Sequence, residues 1–309
     1  MHINTLTDPV KQRTIAYETH CRGIGVHSGK EVHLTIKPAA ANHGIRFIRT
    51  DLPGTPMIPA LFNQVVDTSL ATVIGSEGAI VSTIEHLMAT LSALSVDNAV
   101  VALDTYEMPI MDGSARPFFE LLENIGIEEQ NADRCFFVIK EPVELREGDK
   151  FVGAYPFNGR KLSCTIAYDH PLIQTQTISV DLDPQVFKED ISPARTFGFV
   201  QEVDMMKRFG LARGGSLDNA IVVGHDKIMN PGGLRFADEF VRHKLLDCIG
   251  DFSLLGMPIV GHLVTHRSGH AFNHAFLEKL FQTKSSWQAC PVVTALEPAM
   301  PILPKALAI

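Results

Sequence analysis

The chain has no excess of positive charge. Lys and Arg number 27 against 35 Asp and Glu, a formal net charge of −8. A general nucleic-acid binder needs a basic surface to neutralise phosphates, so that class of function is set aside. Cysteine is scarce as well. Cys21, Cys135, Cys164, Cys248 and Cys290 are odd in number, and no two form C-x-x-C. This predicts buried thiols in a reducing compartment, not a disulfide framework. No run of about 18 uninterrupted apolar residues is present, so no spanning helix is expected. The N-terminal stretch lacks the apolar segment of a signal peptide, which points to the cytoplasm. Low-complexity segments, a G-x-S-x-G elbow, an H-E-x-x-H helix and G-x-G-x-x-G spacing are all missing.

What is present is ordinary globular material. The 309 residues are 45% hydrophobic and 20% charged, which excludes disorder and collagen-like repeats. At roughly 150 residues per domain, the length suggests about two domains. Such a chain buries a large core without disulfides or a structural metal.

Residues 1–10 read as a loose polar leader. Residues 31–37 alternate polar and apolar, the period of a half-buried strand, and 45–49 reads as its return strand across a turn at Asn42-His43-Gly44. Residues 82–94 read as a helix, 96–103 as a buried strand and 117–125 as a second helix. A similar order then returns. Residues 151–156 and 162–168 flank Asn158-Gly159 as a hairpin, 238–255 is a long helical pattern, and 257–264 is a following strand. Each half therefore reads as hairpin, helix, buried strand. The fold class expected is α+β, with two domains of related layout, 11–132 and 133–309, each layering helices on a sheet.

The chain has 13 histidines, so chance pairings are expected. Ser82-Thr83-Ile84-Glu85-His86 has two readings. Ser-x-x-Glu is a capping box that would occupy Glu85. Alternatively, His86 is a metal ligand beside a general base. His243 and Asp247 share one helix face at i and i+4, and Asp251 continues the stripe. That face is either a solvated polar surface or a pair of metal ligands. If the two halves pack face to face, His86, His243 and Asp247 can converge. Three protein ligands with an open fourth position are the pattern of a catalytic zinc site, and Glu85 would adjoin it as a base.

His262, His266, His270 and His274 recur at i+4. The glycines and the β-branched Val264-Thr265 favour a strand and a turn over a helical metal stripe. His270 then reads as a loop histidine, either a general acid or a surface residue. Residues 192–199, Ser-Pro-Ala-Arg-Thr-Phe-Gly-Phe, and Gly214-Gly215-Ser216 could line an apolar channel or fill the core. Asp112-Gly113-Ser114 reads as a structural turn.

Taken in order, Lys11-Gln12-Arg13-Thr14, Gly25-Val26-His27-Ser28-Gly29, Ser82 to Leu87, Pro109 to Ser114, Arg195 to Phe199, Gly214-Gly215-Ser216, Phe240 to Lys244 and Ser268-Gly269-His270 form a pattern. It resembles the UDP-3-O-acyl-N-acetylglucosamine deacetylases, zinc enzymes of lipid A biosynthesis in Gram-negative bacteria. The resemblance runs from Lys11 to near the C-terminus. It implies two domains with the active site at their interface. It implies zinc on His86, His243 and Asp247, Glu85 as general base and His270 as general acid. It implies that Thr196 stabilises the oxyanion, Phe197 packs on the sugar, Lys244 contacts substrate and Asp251 supports His270. An acyl-chain passage would draw on Phe197, Val203, Ala212, Gly215 and Ser216.

On that resemblance the expected reaction is hydrolysis of the acetamide to acetate and a free amine. The partner is a UDP-linked acylated amino sugar, handled by a monomer without a membrane span, near the inner membrane. The apolar tail Pro301 to Ile309 could be a recognition signal for a regulatory protease. The alternatives are a zinc amidohydrolase acting on another N-acyl sugar, or a non-catalytic nucleotide-sugar binding protein.

Overall fold

The structure, a computed structural model, describes residues 9–291. Most of the expected leader and the Pro301–Ile309 tail lie outside the described residues. The architecture is α+β. Among the described residues, strands between Lys11 and Asp133 pair only with one another, and so do strands between Phe136 and Cys290.

The first main sheet has the spatial order Thr19–Ile24, Glu31–Pro38, Ala99–Leu103, Ile45–Arg49, Met57–Pro59. The expected pairing of 31–37 with 45–49 is therefore not made. Ala99–Leu103 lies between them, antiparallel to Glu31–Pro38 and parallel to Ile45–Arg49. The second sheet makes the same substitution. Ile259–His266 lies between Lys150–Tyr155 and Arg160–Ala167, antiparallel to the first and parallel to the second. Both hairpin readings fail for one reason. Each later strand is the one enclosed by its neighbours: Ala99–Leu103 is an apolar run buried at all but Val100, and Ile259–Thr265 is buried throughout. It takes the sheet interior, where both faces are covered. The turn signals only reverse the chain. The return path to each central strand passes through a helix, as a parallel connection requires.

Those two helices are the centre of the molecule. Helix Glu85–Ala93 is buried at every residue but Ser92. Helix Glu239–Ser253 is buried along most of its length. A helix enclosed on all sides belongs in the core, not on a surface. The two pack against each other, and Gly250 permits the contact. A Cβ at Gly250 would lie 2.2 Å from the Glu85 carbonyl oxygen. One apolar cluster runs through both halves, from Ile15, Phe47 and Phe118 to Phe187, Phe240 and Phe276.

The thiols depart from expectation in part. Cys164 and Cys248 are buried, but Cys21, Cys135 and Cys290 are only half-buried. Among the described residues no helix is long and apolar enough to cross a membrane.

Candidate active site

Glu85 and His86 open their helix, but not through a capping box. Ser82 ends strand Ala79–Ser82, and no side chain caps the helix. Thr83 intervenes with φ +62°, an uncommon conformation for a β-branched residue. That kink turns the chain from strand to helix and takes Ser82 out of reach. The Thr72 carbonyl caps the turn instead, accepting from the amides of Thr83 at 3.1 Å and Ile84 at 3.5 Å. Glu85 is released to face the interior.

Helix Glu239–Ser253 presents His243, Asp247 and Asp251 on one stripe. The first two meet His86. His243 Nε2 is 3.4 Å and His86 Nε2 3.8 Å from Asp247 Oδ1. The imidazoles stand edge to face with centroids 5.1 Å apart. One ligand atom from each residue lies within 4.8 Å of the others, and all three residues are buried.

The surroundings prepare these atoms as donors. His243 Nδ1 donates to the Ala194 carbonyl at 3.1 Å, which leaves Nε2 with its lone pair free. Burial, with His243 beside it, depresses His86 to about 3. Burial likewise lowers His243, so both rings are neutral. Asp247 is the opposite case. Burial would raise it, but the adjacent His243, with Lys244 and His270, holds it well below the usual carboxylate range. Lys244 Nζ donates to Asp247 Oδ2 at 2.8 Å, and Oδ1 is left facing the rings. Two neutral imidazoles and one carboxylate form a suitable donor set for a divalent metal.

Two further groups stand beside them. His270 Nε2 lies 3.8 Å from Glu85 Oε1. Desolvation raises Glu85 to about 7, with His270 opposing and Asp247 and Asp251 adding to the rise. Desolvation would lower His270, but Asp251 overcomes it and raises the imidazole to about 10. His270 Nδ1 donates to Asp251 Oδ2 at 2.9 Å, and Asn273 donates to the same oxygen at 2.8 Å. His270 is not on a loop. It begins helix His270–Gln282, with Gly269 as the N-cap. The strand expected before it is present, and it holds His262 and His266.

A cavity of about 870 Å³ opens on these groups, within the usual range for small-molecule sites. It is lined by His86, His243, Asp247, Glu85 and His270, and by Thr196, Phe197 and Lys244. Val203, Ala212, Gly215 and Ser216 line it too. Asp251 does not, and sits behind His270. The structure thus brings the residues that the resemblance implies for the site to one place, and leaves His262, His266 and His274 outside it. Thr196 is held by its backbone, donating to the Gly113 carbonyl at 2.8 Å and accepting from the Ile221 amide at 2.8 Å. Asp112 shapes that turn, accepting from the Ser114 amide and hydroxyl and from Arg235. Phe197 packs edge-on against Phe240 at 4.9 Å, and Lys244 lies 5.5 Å from its ring centroid.

The family model of UDP-3-O-acyl N-acetylglycosamine deacetylase, LpxC, matches residues 12–282. The chain belongs to the LpxC family. A UDP-3-O-acyl-N-acetylglucosamine deacetylase of Myxococcus xanthus is 49% identical over 280 residues, 91% of this chain and 89% of its own length. One from Acidithiobacillus ferrooxidans is 47% identical over 281 residues, covering 90% and 92%. One from Syntrophus aciditrophicus is 42% identical over 276 residues, covering 89% and 88%.

Several residues around the site of this LpxC family member were not singled out in the sequence. Thr72 touches both Glu85 and the Asp251–His270 pair. Glu107 is fully buried and accepts from the amides of His27 at 2.7 Å and Ser28 at 2.8 Å, fixing a loop that lines the cavity. Glu239 anchors Arg195, the residue before Thr196. Each acts through contacts distant in sequence, so no local spacing announces it. The Gly25-Val26-His27-Ser28-Gly29 motif was the nearest available signal.

Proposed function

We propose that this protein is a metal-dependent deacetylase. It hydrolyses the acetamide of UDP-3-O-acyl-N-acetylglucosamine to the free amine and acetate, a step of lipid A biosynthesis. The observation that carries the reading is the meeting of His86, His243 and Asp247 with Glu85 and His270 on one cavity. A non-catalytic binding protein gives no reason for an acid–base pair beside a metal-ligand set.

His86, His243 and Asp247 would hold the metal, which we take to be zinc. Zinc at three protein ligands supplies Lewis acidity and lowers the pKa of a water it binds from 15.7 to about 7. Glu85 accepts the proton of the attacking water, and its raised pKa suits a base working near neutral pH. His270, cationic because Asp251 lies behind it, faces the developing oxyanion and then protonates the leaving amine. The Thr196 hydroxyl donates to the same oxyanion. Phe197 offers a face to the sugar. Lys244 offsets negative charge beside the diphosphate in a protein of net charge −8. Val203, Ala212, Gly215 and Ser216 border the path of the acyl chain.

The proposal extends to a monomeric cytoplasmic enzyme that meets its substrate at the membrane surface, and an odd number of cysteines with no C-x-x-C pair is in keeping with that compartment. It also divides the chain near residue 132, a division supported by the segregated strand pairing. Recognition of the tail by a protease remains part of it. An unchanged cellular half-life after deletion of residues 301–309 would remove that part.

The test is acetate release from UDP-3-O-acyl-N-acetylglucosamine by metal-stripped protein, with and without added zinc. Release restored by zinc supports substrate, reaction and metal together. No release in either sample, from folded protein, withdraws the reaction. Faster release from an unacylated or differently linked sugar would reassign the substrate.

A further inference from the structure

We propose that Thr72 is a positioning residue for this reaction, holding the Asp251–His270 pair through its hydroxyl and Glu85 through its amide. The proposal rests on the roles proposed above for Glu85 and His270. Thr72 is buried, in the link before strand Val73–Ser76. Its hydroxyl donates to Asp251 Oδ1 at 2.6 Å. The same oxygen lies 3.2 Å from His270 Nδ1, so its lone pair faces the imidazole N–H. Its amide donates to Glu85 Oε2 at 3.2 Å. Its carbonyl caps the turn that starts the Glu85–Ala93 helix. Every polar group of this residue is therefore committed to the site.

The arrangement has a mechanical consequence. Asn273 and His270 bind Asp251 Oδ2, and Thr72 binds Oδ1. With both oxygens held, the carboxylate cannot rotate about its terminal bond. The imidazole that donates to it is then fixed in the plane that aims Nε2 toward Glu85. Thr72 belongs to the first half, in the link before strand Val73–Ser76, whereas Asp251 and His270 belong to helices of the second. One residue thus registers acid against base across the junction. β-Branching restricts its χ1, so the hydroxyl is held in place before substrate arrives.

Thr72→Val tests this because it keeps the branched shape and the backbone contacts and removes only the hydroxyl. In full-length, zinc-loaded protein, kcat should fall about 10- to 100-fold, a part of the about 10²–10⁴-fold expected from the acid His270 itself, while KM stays within about twofold. Zinc content and melting temperature should be unchanged, which separates the effect from misfolding. Thr72→Ser should recover most of the rate. On an Asp251→Asn background, Thr72→Val should add less than about twofold, because the hydroxyl acts through Asp251. A wild-type kcat in folded Thr72→Val, or fully additive losses in the double variant, would overturn the proposal. His270→Ala separates the two levels of inference. If it retains activity, the site reading itself fails. If it is inactive while Thr72→Val is not, only the role of Thr72 is lost. Should valine not be accommodated, Thr72→Ala with ¹⁵N-histidine spectra answers the same question. The His270 Nδ1–H resonance should move, and an unmoved resonance with wild-type kcat counts against the role.

Discussion

Glu85 and Glu239 are the same residue at the same place in two helices. Each is the first residue of a central helix, and each is buried. Their partners differ completely. Glu239 accepts from the Arg195 amide at 3.0 Å, from Arg195 Nε at 2.9 Å and Nη2 at 3.1 Å, and from the Arg235 amide at 2.5 Å. Burial would raise its pKa, but Arg195 outweighs it and the carboxyl sits below its ordinary value. Glu85 has no guanidinium beside it: it accepts from the Thr72 amide at 3.2 Å, with the His270 ring at 3.8 Å, and desolvation carries it to about 7. A saturated carboxylate is an anchor, because every lone pair is already used. An under-supplied one retains an appetite for a proton. Burial is common to both, so the difference in role comes from the count of donors around each.

The largest effect expected from breaking this contrast is on the rate. Glu85→Ala or His270→Ala should lower kcat about 10²–10⁴-fold, the usual size of an acid–base contribution. Acetate release at saturating substrate measures it, and near-normal turnover in either variant would remove that residue from the mechanism. Next comes the anchor. Glu239→Ala leaves the Arg195 guanidinium buried and unpaired, and should cost about 3–5 kcal/mol of stability. Urea unfolding measures this. An effect under about 1 kcal/mol would mean that solvent reaches Arg195 and the pair is not an anchor.

A smaller loss is expected where the helices touch. Gly250→Ala inserts a methyl against the Glu85 carbonyl. Overpacking of this kind costs about 1–3 kcal/mol. It should also spread His86 from His243 and Asp247, so zinc should be lost to a chelator faster than in the wild type. Equal release rates would show that the helices adjust without moving the ligands.

The subtlest test is the opposite pH dependence of the two glutamates in metal-free protein. An unfolded glutamate releases its proton near 4.5, whereas folded Glu85 keeps its proton to about 7. The folded state then binds more protons in that window, so Glu85 lowers stability as pH rises from 4.5 to about 7. Glu239 is depressed, so its contribution is present above 4.5 and is lost as pH falls through its folded value. Glu85→Gln should flatten the first slope and leave the acid limb intact. Bound zinc should weaken the Glu85 slope as well, since a nearby cation favours the carboxylate. An unchanged slope in Glu85→Gln would assign it to another group.

The residues of the site were more legible than the way they are held. His243, Asp247 and Asp251 share a face by helical spacing alone, and the structure keeps that face. Glu85 and His86 could be read either as a cap or as chemistry. The left-handed turn at Thr83 decided between the two, and a β-branched residue gives no local warning of such a turn. The helix at His270 was missed because Ser268-Gly269 reads as a turn, yet the same glycine is its N-cap. Helix Val200–Arg208, which carries Val203 into the cavity wall, was not anticipated either. It buries none of its residues, so it leaves no apolar stripe to read.

Sequence alone determined the composition class, the two central helices, the apolar strands and the chemical types assembled for the reaction. These depend on short-range periodicity and on side-chain identity, which are local properties. Only the tertiary structure decided that each late strand enters between two earlier ones, that Gly250 lets one helix rest on Glu85, and that Thr72 reaches Asp251. Those outcomes depend on which buried surfaces compete for the centre of a sheet and on how close two backbones can come. Both are settled between residues far apart in the chain, by packing density and by the need to satisfy every buried polar atom.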